Sequence, residues 1–166
     1  MRRFKKVRAD PEKAGDLQAV RKAAVGLLAG RDYGSGELRG KLEAQGYERE
    51  VAAEAVAELV EGRIVDDARY AEHYVSYRAN RGQGPVRIAG DLKALGVPDA
   101  IVDAALEAGA DWVAQAREVR IRKFGLAAPR DWAEKGRQAR FLQYRGFSSD
   151  HIRAALGGDS DPDGAT

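Results

Sequence analysis

Cysteine is absent from this chain of 166 residues. Its absence excludes disulfides, a thiol nucleophile and thiolate metal sites. The only two histidines, His73 and His151, lie far apart in the sequence, so a metal centre would have to be built largely from carboxylates. We therefore expect neither a bound metal nor a cofactor.

Long apolar runs are also absent. No stretch approaches the roughly 18 residues that a membrane-spanning helix needs. The N-terminus is basic, but no apolar segment follows it, so it lacks the pattern of a secretory signal peptide. Together with the lack of cysteine, this predicts a cytoplasmic protein without a membrane partner.

The residue sets of known catalytic sites are missing too. Gly34-Ser-Gly36 and Gly82-Gln-Gly84 are too short for a phosphate-binding loop, and neither follows a predicted strand. The adjacent carboxylates Asp66 and Asp67 would point about 100° apart on a helix, which favours helix capping over acid–base chemistry. We predict that the protein is not an enzyme.

What the sequence does contain is a short pattern that recurs at intervals of fifty residues. In each copy a leucine precedes a glycine by four positions, and an apolar residue follows the glycine directly. The copies are Leu42/Gly46/Tyr47, Leu92/Gly96/Val97 and Leu142/Gly146/Phe147. A fixed period of this size is typical of repeat proteins whose units stack end to end.

The pattern has a local physical explanation at the end of a helix. A glycine just after a helix adopts the left-handed conformation without a Cβ clash, and the next residue packs against a side chain one turn back. This Schellman motif predicts a positive φ at Gly46, Gly96 and Gly146. Each repeat then holds a helix that ends at the glycine, with one helix before it and one after it.

Apolar residues at helical spacing fill the intervals, and no stretch shows the alternation of a strand. We predict an all-α fold of three tandem three-helix repeats with a period of about 50 residues, elongated and curved. In the first repeat, Ser35 is expected to cap the second helix and Val60 to be buried in the third. The predicted bounds are a basic mobile arm at 1–15, repeats at 16–65, 66–109 and 110–157, and an acidic disordered tail at 158–166.

Basic residues are unevenly distributed, although the formal net charge is only +2. The segment 110–157 carries ten Lys and Arg residues against five acidic ones, and the basic residues of its first helix are expected to point in several directions. In the second repeat, three arginines bracket the Gly-Gln-Gly-Pro turn, and guanidinium groups suit phosphate or carboxylate partners. The candidate polyanion-binding residues are Arg78, Arg81 and Arg87 around this turn, and Arg137, Arg140 and Arg145 in the third repeat.

A purely structural interpretation of these arginines remains open, because one or more of them would also serve to brace the helices on either side of the turn. Tyr70 and Tyr74 share a helix face with this arginine group, and we expect them to be core residues whose hydroxyls reach the rim.

The order and spacing of several segments resemble the RecX family of bacterial recombinase regulators, over about residues 19–156. The matching segments are residues 27–42 with Gly46 and Tyr47 in the first repeat, 66–71 and 78–88 in the second, and 122–125 with 140–148 in the third.

The resemblance implies a fold of tandem three-helix units and a regulatory function. Members of the family bind RecA and lodge in the groove of the RecA–DNA filament, where they suppress ATP hydrolysis and strand exchange. The protein would then act in DNA repair, recombination and the SOS response. Its expected partner is the RecA filament, with possible contact to the DNA backbone, and it is expected to be a monomer.

Two other interpretations remain open. A helix, a glycine turn and a second helix also resemble a DNA-reading module, which would make the chain a direct DNA-binding protein. Against this, the helix after Gly96 contains no Lys or Arg, and the helix after Gly46 has only Arg49 before its end. The third interpretation is a helical scaffold with an unrelated protein partner.

Overall fold

The computed structural model describes residues 7–157 of the chain. Within that range the structure contains α-helices and one short 3-10 helix, Pro11–Lys13, and no strand. The α-helices are α1 (Leu17–Gly30), α2 (Ser35–Gln45), α3 (Arg49–Glu61), α4 (Asp67–Asn80), α5 (Pro85–Ala94), α6 (Asp99–Gly109), α7 (Trp112–Phe124), α8 (Trp132–Tyr144) and α9 (Ser149–Ala155). The prediction of an all-α chain is confirmed.

The predicted glycine stops are present in all three repeats. Gly46, Gly96 and Gly146 have φ values of 105°, 81° and 97°. After α2, Tyr47 N–H donates to the Leu42 carbonyl at 3.2 Å, and Phe147 N–H donates to the Leu142 carbonyl at 3.1 Å after α8. In each case the amide lies five residues after the carbonyl, which is the bond that defines the Schellman motif.

The chain divides into two compact units that do not follow the fifty-residue period. Unit 1 contains the described residues through Ala71 together with Lys93–Ile101, and unit 2 contains Glu72–Leu92 together with the described residues from Val102. Helices α4, α5 and α6 therefore contribute residues to both units. The second repeat is thus divided between the two units and does not form a unit of its own.

In unit 1, helices α1 and α2 pack against α3 around an apolar core. The core centres on side chains without solvent exposure, among them Val20, Leu38 and Leu42. The prediction that Val60 is buried is wrong, because it is 42% exposed. The buried stripe of α3 contains Ala52, Ala55, Val56 and Leu59, and Val60 lies about 100° further round the helix.

The start of α2 is capped by a residue that lies far away in the sequence. The prediction that Ser35 caps the helix is wrong, because Ser35 is its first residue and Gly34 before it has no side chain. The carboxylate of Asp67 accepts hydrogen bonds from the Ser35 amide at 2.7 Å and from its hydroxyl at 2.6 Å. Asp66 caps α4 by accepting from the Arg69 amide at 3.0 Å, so both adjacent carboxylates serve as helix caps.

Part of the predicted mobile arm is bound to unit 1. The Ala9 amide donates to the Gln45 carbonyl at 2.7 Å, and the Glu48 amide donates to the Ala14 carbonyl at 2.9 Å. Residues 9–14 therefore pair with the end of α2 and the start of α3. Residues 1–6 of the arm and the predicted tail at 158–166 lie outside the described residues.

In unit 2, α7 packs against α8 and α9. The core of this group contains Ala116, Val119, Leu142, Phe147 and Ile152, together with the last residue of α9 and the leucine that follows it. All six candidate arginines belong to unit 2.

Candidate polyanion-binding surface

The turn between α4 and α5 is held in one conformation by its own backbone. Gly82 has a φ of 79°, and the Gln83 amide donates to the Arg78 carbonyl at 3.1 Å. A second bond, from Gly82 to the Ala79 carbonyl at 2.8 Å, completes another Schellman motif. Pro85 then occupies the first position of α5, where a missing N–H leaves no bond unmade.

The same turn is hydrogen-bonded to the end of α8. The Gly84 amide donates to the Arg145 carbonyl at 2.8 Å, and the Val86 amide donates to the Gly146 carbonyl at 2.9 Å. The amides of Gly84, just before α5, and of Val86, in its first turn, thus satisfy carbonyls that follow α8, a head-to-tail arrangement of helix ends that the helix dipoles also favour.

Arg145 reinforces this junction with its side chain. Its guanidinium donates from Nε to the Gly82 carbonyl at 3.2 Å and from Nη2 to the Arg81 carbonyl. Arg145 therefore braces the turn between α4 and α5 against the end of α8. The sequence makes it a candidate for binding a polyanion, but these two bonds occupy part of its donor capacity.

Two of the three turn arginines stack on tyrosines of α4. The guanidinium carbon of Arg78 lies 5.0 Å from the centre of the Tyr74 ring, and that of Arg81 lies 4.4 Å from the centre of the Tyr77 ring. Arg81 is exposed, whereas Arg78 is half-buried, with its Nε buried and without a hydrogen-bond partner among the described residues. Stacking orients a guanidinium while leaving its edge available to phosphate oxygens.

Tyr70 lies in the core as predicted, whereas Tyr74 is only partly buried. Tyr70 is buried, and its hydroxyl lies 3.3 Å from Glu37 Oε2. Tyr74 is half-buried, and its hydroxyl donates to Asp91 Oδ2 at 3.4 Å. Burial, and secondarily the Asp91 charge, raises the pKa of the Tyr74 phenol, so the hydroxyl stays protonated as a donor.

Arg87 lies on the exposed side of α5. A Cβ atom added to Gly146 would lie 2.9 Å from the Arg87 amide nitrogen and closer still to its Cβ, so the glycine lets this part of α5 approach. Among the described residues, no carboxylate forms an ion pair with Arg78, Arg81 or Arg87. We call these three residues the turn cluster.

The basic residues of α7 have different surroundings. Arg122 and Lys123 are adjacent in the sequence, so their side chains leave the helix about 100° apart, yet both border one groove with Arg145, Gly82 and Phe141. They occupy the last turn of α7, where the negative end of the helix dipole stabilises positive charge. The groove adds two cations beside the turn that carries Arg81.

The other two cations of α7 have structural partners. Arg117 donates to the Ala154 carbonyl at 3.3 Å. Arg120 is buried, at 8% exposure, and donates to the Ala127 carbonyl at 3.1 Å and to Gln138 Oε1 at 3.3 Å. Gln138 is completely buried. No sequence pattern indicates this network, because an arginine in a basic helix is expected at the surface.

Arg137 and Arg140 lie apart from the Arg145 junction, in a second basic region. Both line an open cavity of about 490 Å³ together with Arg130 and two carboxylates, Asp131 and Glu134. Glu134 accepts the Arg130 amide at 3.0 Å, which lowers the pKa of the Glu134 carboxyl. The predicted set in the third repeat is thus divided between a brace, Arg145, and a pair that borders this open cavity, Arg137 and Arg140.

Two other classes of site are absent from residues 7–157. No group of three or more histidine, aspartate or glutamate side chains there is arranged to hold a metal ion. No helix in the described part of the chain is long and apolar enough to cross a membrane.

Comparison with known proteins assigns the chain to a family. Three family models match in succession: the first three-helix domain of RecX at residues 21–59, the second at 66–106 and the third at 110–156. The chain belongs to the RecX family. The predicted three tandem three-helix repeats are confirmed by these matches, and the helix that opens the first repeat begins at Leu17, before the first match.

Relatives and solved structures agree with this assignment. The chain is 46% identical over 147 residues to the regulatory protein RecX of Halorhodospira halophila, which covers 88% of this chain and 91% of that protein. It is 44% identical over 143 residues to the regulatory protein RecX of Pseudomonas fluorescens, covering 86% and 92%. The crystal structure of RecX from Lactobacillus salivarius shares the fold, with a TM-score of 0.73, 23% identity, and coverage of 85% of this chain and 94% of that one.

Proposed function

We propose that this protein regulates the RecA recombinase by binding the RecA–DNA filament, and that it lowers the ATPase and strand-exchange activity of the filament. The observation that carries the proposal is membership of the RecX family across all three repeats. By limiting the filament, the protein acts in DNA repair, recombination and the SOS response. We expect it to act in the cytoplasm as a monomer.

The charge pattern of unit 2 supports a partner that contains nucleic acid. The turn cluster, the groove with Arg122 and Lys123, and the pair Arg137 and Arg140 all present cations on one compact unit. A filament with DNA in its groove offers phosphates to such cations. Stacked guanidinium groups without ion-pair partners suit phosphate oxygens better than mobile ones, because less conformational freedom is lost on binding.

Sequence-specific reading of bare DNA is less well supported. Helix α6, which follows the Gly96 turn, contains no Lys or Arg. A recognition helix reads base edges with Arg, Lys, Asn or Gln side chains, and α6 contains none of these. Contact with DNA is therefore proposed to be through the backbone and secondary to RecA.

The decisive experiment measures RecA ATPase on single-stranded DNA with increasing amounts of this protein. We expect ATP hydrolysis to fall, with no ATPase or nuclease activity in this protein alone. Pull-down with RecA in the absence of DNA, and anisotropy of labelled DNA in the absence of RecA, separate the two partners. Tight binding to bare DNA with no binding to RecA and no effect on its ATPase would favour the DNA-binding alternative.

A further inference from the structure

Helices α8 and α9 form an apolar groove whose lining residues are not used in the proposed function. Its volume is about 340 Å³, at the lower end of cavities that hold small molecules. Its lining includes Trp132, Lys135 and Ala139 of α8, and Ile152, Arg153 and Leu156 from α9 and its C-terminal cap. We call it the α8–α9 groove.

One wall of the groove is an exposed aromatic ring. Trp132 is 85% exposed, and the ammonium of Lys135 lies 5.4 Å from the centre of its ring. Tryptophan is among the residue types most enriched at the centre of protein-binding surfaces. The other tryptophan, Trp112, is half-buried, and its indole donates to the Leu106 carbonyl at 3.0 Å. The two residues therefore have different environments.

The floor of the groove is apolar and its rim is positive. Ile152 and Leu156 are 8% and 9% exposed, so they present fixed apolar atoms at the base. Lys135 and Arg153 are the charged residues of the lining, and no carboxylate lies among the described residues that form it. Arg153 has an exposed neighbour in Asp150 at 3.5 Å, and an exposed ion pair of this kind contributes little stability.

We propose that the α8–α9 groove is a docking site for an acidic peptide segment of a partner protein that inserts apolar side chains between α8 and α9. The apolar floor takes the inserted side chains, Trp132 covers them, and the two cations pair with the flanking carboxylates. An apolar side chain held by a groove with complementary charge at its rim is a common mode of peptide recognition. The groove therefore adds a protein-binding site to a unit whose other cations face nucleic acid in the proposed function.

Gly136 offers a sharp test because it lies in the groove lining and nothing in the fold requires a glycine there. A Cβ atom at this position would meet only the Arg140 guanidinium, at 3.9 Å. Gly136→Leu should therefore fold and, since leucine favours helix over glycine, keep α8 intact while filling the groove. Trp132→Ala removes the wall, and Lys135→Glu reverses one charge at the rim.

The probe is a short fluorescein-labelled peptide of glutamates around a Leu-Phe pair, with a second peptide in which serines replace Leu-Phe. Binding to the full chain is followed by fluorescence anisotropy, and folding is checked by circular dichroism. The matched controls are Tyr144→Ala, which removes an 80% exposed aromatic of α8 outside the groove, and Lys22→Glu on α1.

We expect the Leu-Phe peptide to bind at least about tenfold more tightly than the serine peptide, as expected for a buried apolar contact. Gly136→Leu, Trp132→Ala and Lys135→Glu should each weaken binding severalfold or more, whereas the two controls should bind like the unmodified protein. Three results would overturn the proposal. They are no binding of the Leu-Phe peptide, equal binding of both peptides, and unchanged binding by folded Gly136→Leu and Trp132→Ala.

Discussion

Gly84 lies directly against the backbone of Gly146. A Cβ atom added to Gly84 would be 2.5 Å from the amide nitrogen of Phe147 and closer still to the Gly146 carbonyl group. The glycine is needed for this close approach and not for its φ, because Gly84 is not among the residues with positive φ. The contact allows the Gly84 and Val86 amides, at the start of α5, to reach the carbonyls at the end of α8.

This relationship predicts that Gly84→Ala destabilises the protein by about 1–3 kcal/mol, the usual range for overpacking. Gly90 of α5 is the matched control, because an added Cβ there would meet nothing within 4 Å. Gly90→Ala should instead stabilise the helix by up to about 1 kcal/mol. Urea unfolding of both variants measures the difference. Equal midpoints would contradict the prediction, because they would mean that the backbone next to Gly84 shifts to accommodate the added Cβ without loss of stability.

The glycine stops can be predicted from the sequence because the Schellman motif depends on residues within two turns of each other. Leu42, Gly46 and Tyr47 suffice to identify it, and the repetition at fifty residues indicates the architecture. The closeness of Gly84 and Gly146 cannot be predicted in the same way, since they are distant in the chain. The glycine pairs 34/36 and 82/84 at the starts of α2 and α5 are consistent with close backbone approach, but turns alone also explain them.

The candidate site is harder to predict for the same physical reason. Charge density locates the basic unit, but the role of each arginine depends on its partners in the fold. Arg145 braces a turn more than sixty residues earlier in the chain, and Arg120 is buried against Gln138. Asp67 caps α2 across 32 residues, which a search of neighbouring positions for a cap does not find.

Arg145→Ala should destabilise the protein by about 1–3 kcal/mol, because the carbonyls of Arg81 and Gly82 lose a charged donor. Arg140→Ala, which removes an arginine of the preceding helix α8 beside an open cavity, should change stability by no more than about 0.5 kcal/mol. Arg145→Lys should lie between the two, since an ammonium cannot reproduce the planar fork. The measurement is urea unfolding followed by circular dichroism. Identical midpoints for the two alanine variants would refute the bracing role.

Glu134→Gln should destabilise the protein at neutral pH, and the difference should disappear in acid. Glu134 accepts hydrogen bonds from the Arg130 amide and guanidinium, which lower the pKa of its carboxyl in the folded protein. The resulting stability is therefore present above the unfolded pKa of about 4.3 and is lost as pH falls through the lower folded value.

The check on Glu134 is a series of thermal melts between acid and neutral pH. Glu118→Gln is the control, because Glu118 makes no hydrogen bond or ion pair among the described residues through its side chain and is exposed. A gap between wild type and Glu134→Gln that stays constant down to the lowest pH would contradict the assigned role of the carboxylate.

The last prediction concerns which cations bind the filament. The sequence predicts that Arg78, Arg81 and Arg87 matter together, with Arg137, Arg140 and Arg145 contributing mainly salt-sensitive attraction. The half-buried Arg78 and the brace Arg145 have structural contacts, so alanine at either position would mix folding with binding. The cleaner comparison is Arg81→Ala/Arg87→Ala against Arg137→Ala/Arg140→Ala, which removes two arginines in each case and leaves both of these residues in place.

We expect the Arg81/Arg87 double variant to lose most inhibition of RecA ATPase at physiological salt, because it removes a stacked guanidinium beside a rigid turn. The Arg137/Arg140 double variant should inhibit normally there and bind more weakly only at low salt, where dispersed charge contributes most. Removing each cation that binds a phosphate should reduce the dependence of log affinity on log salt by about one. If the Arg81/Arg87 variant inhibits like wild type while the Arg137/Arg140 variant does not, the filament docks on the face of α8 and not on the turn between α4 and α5.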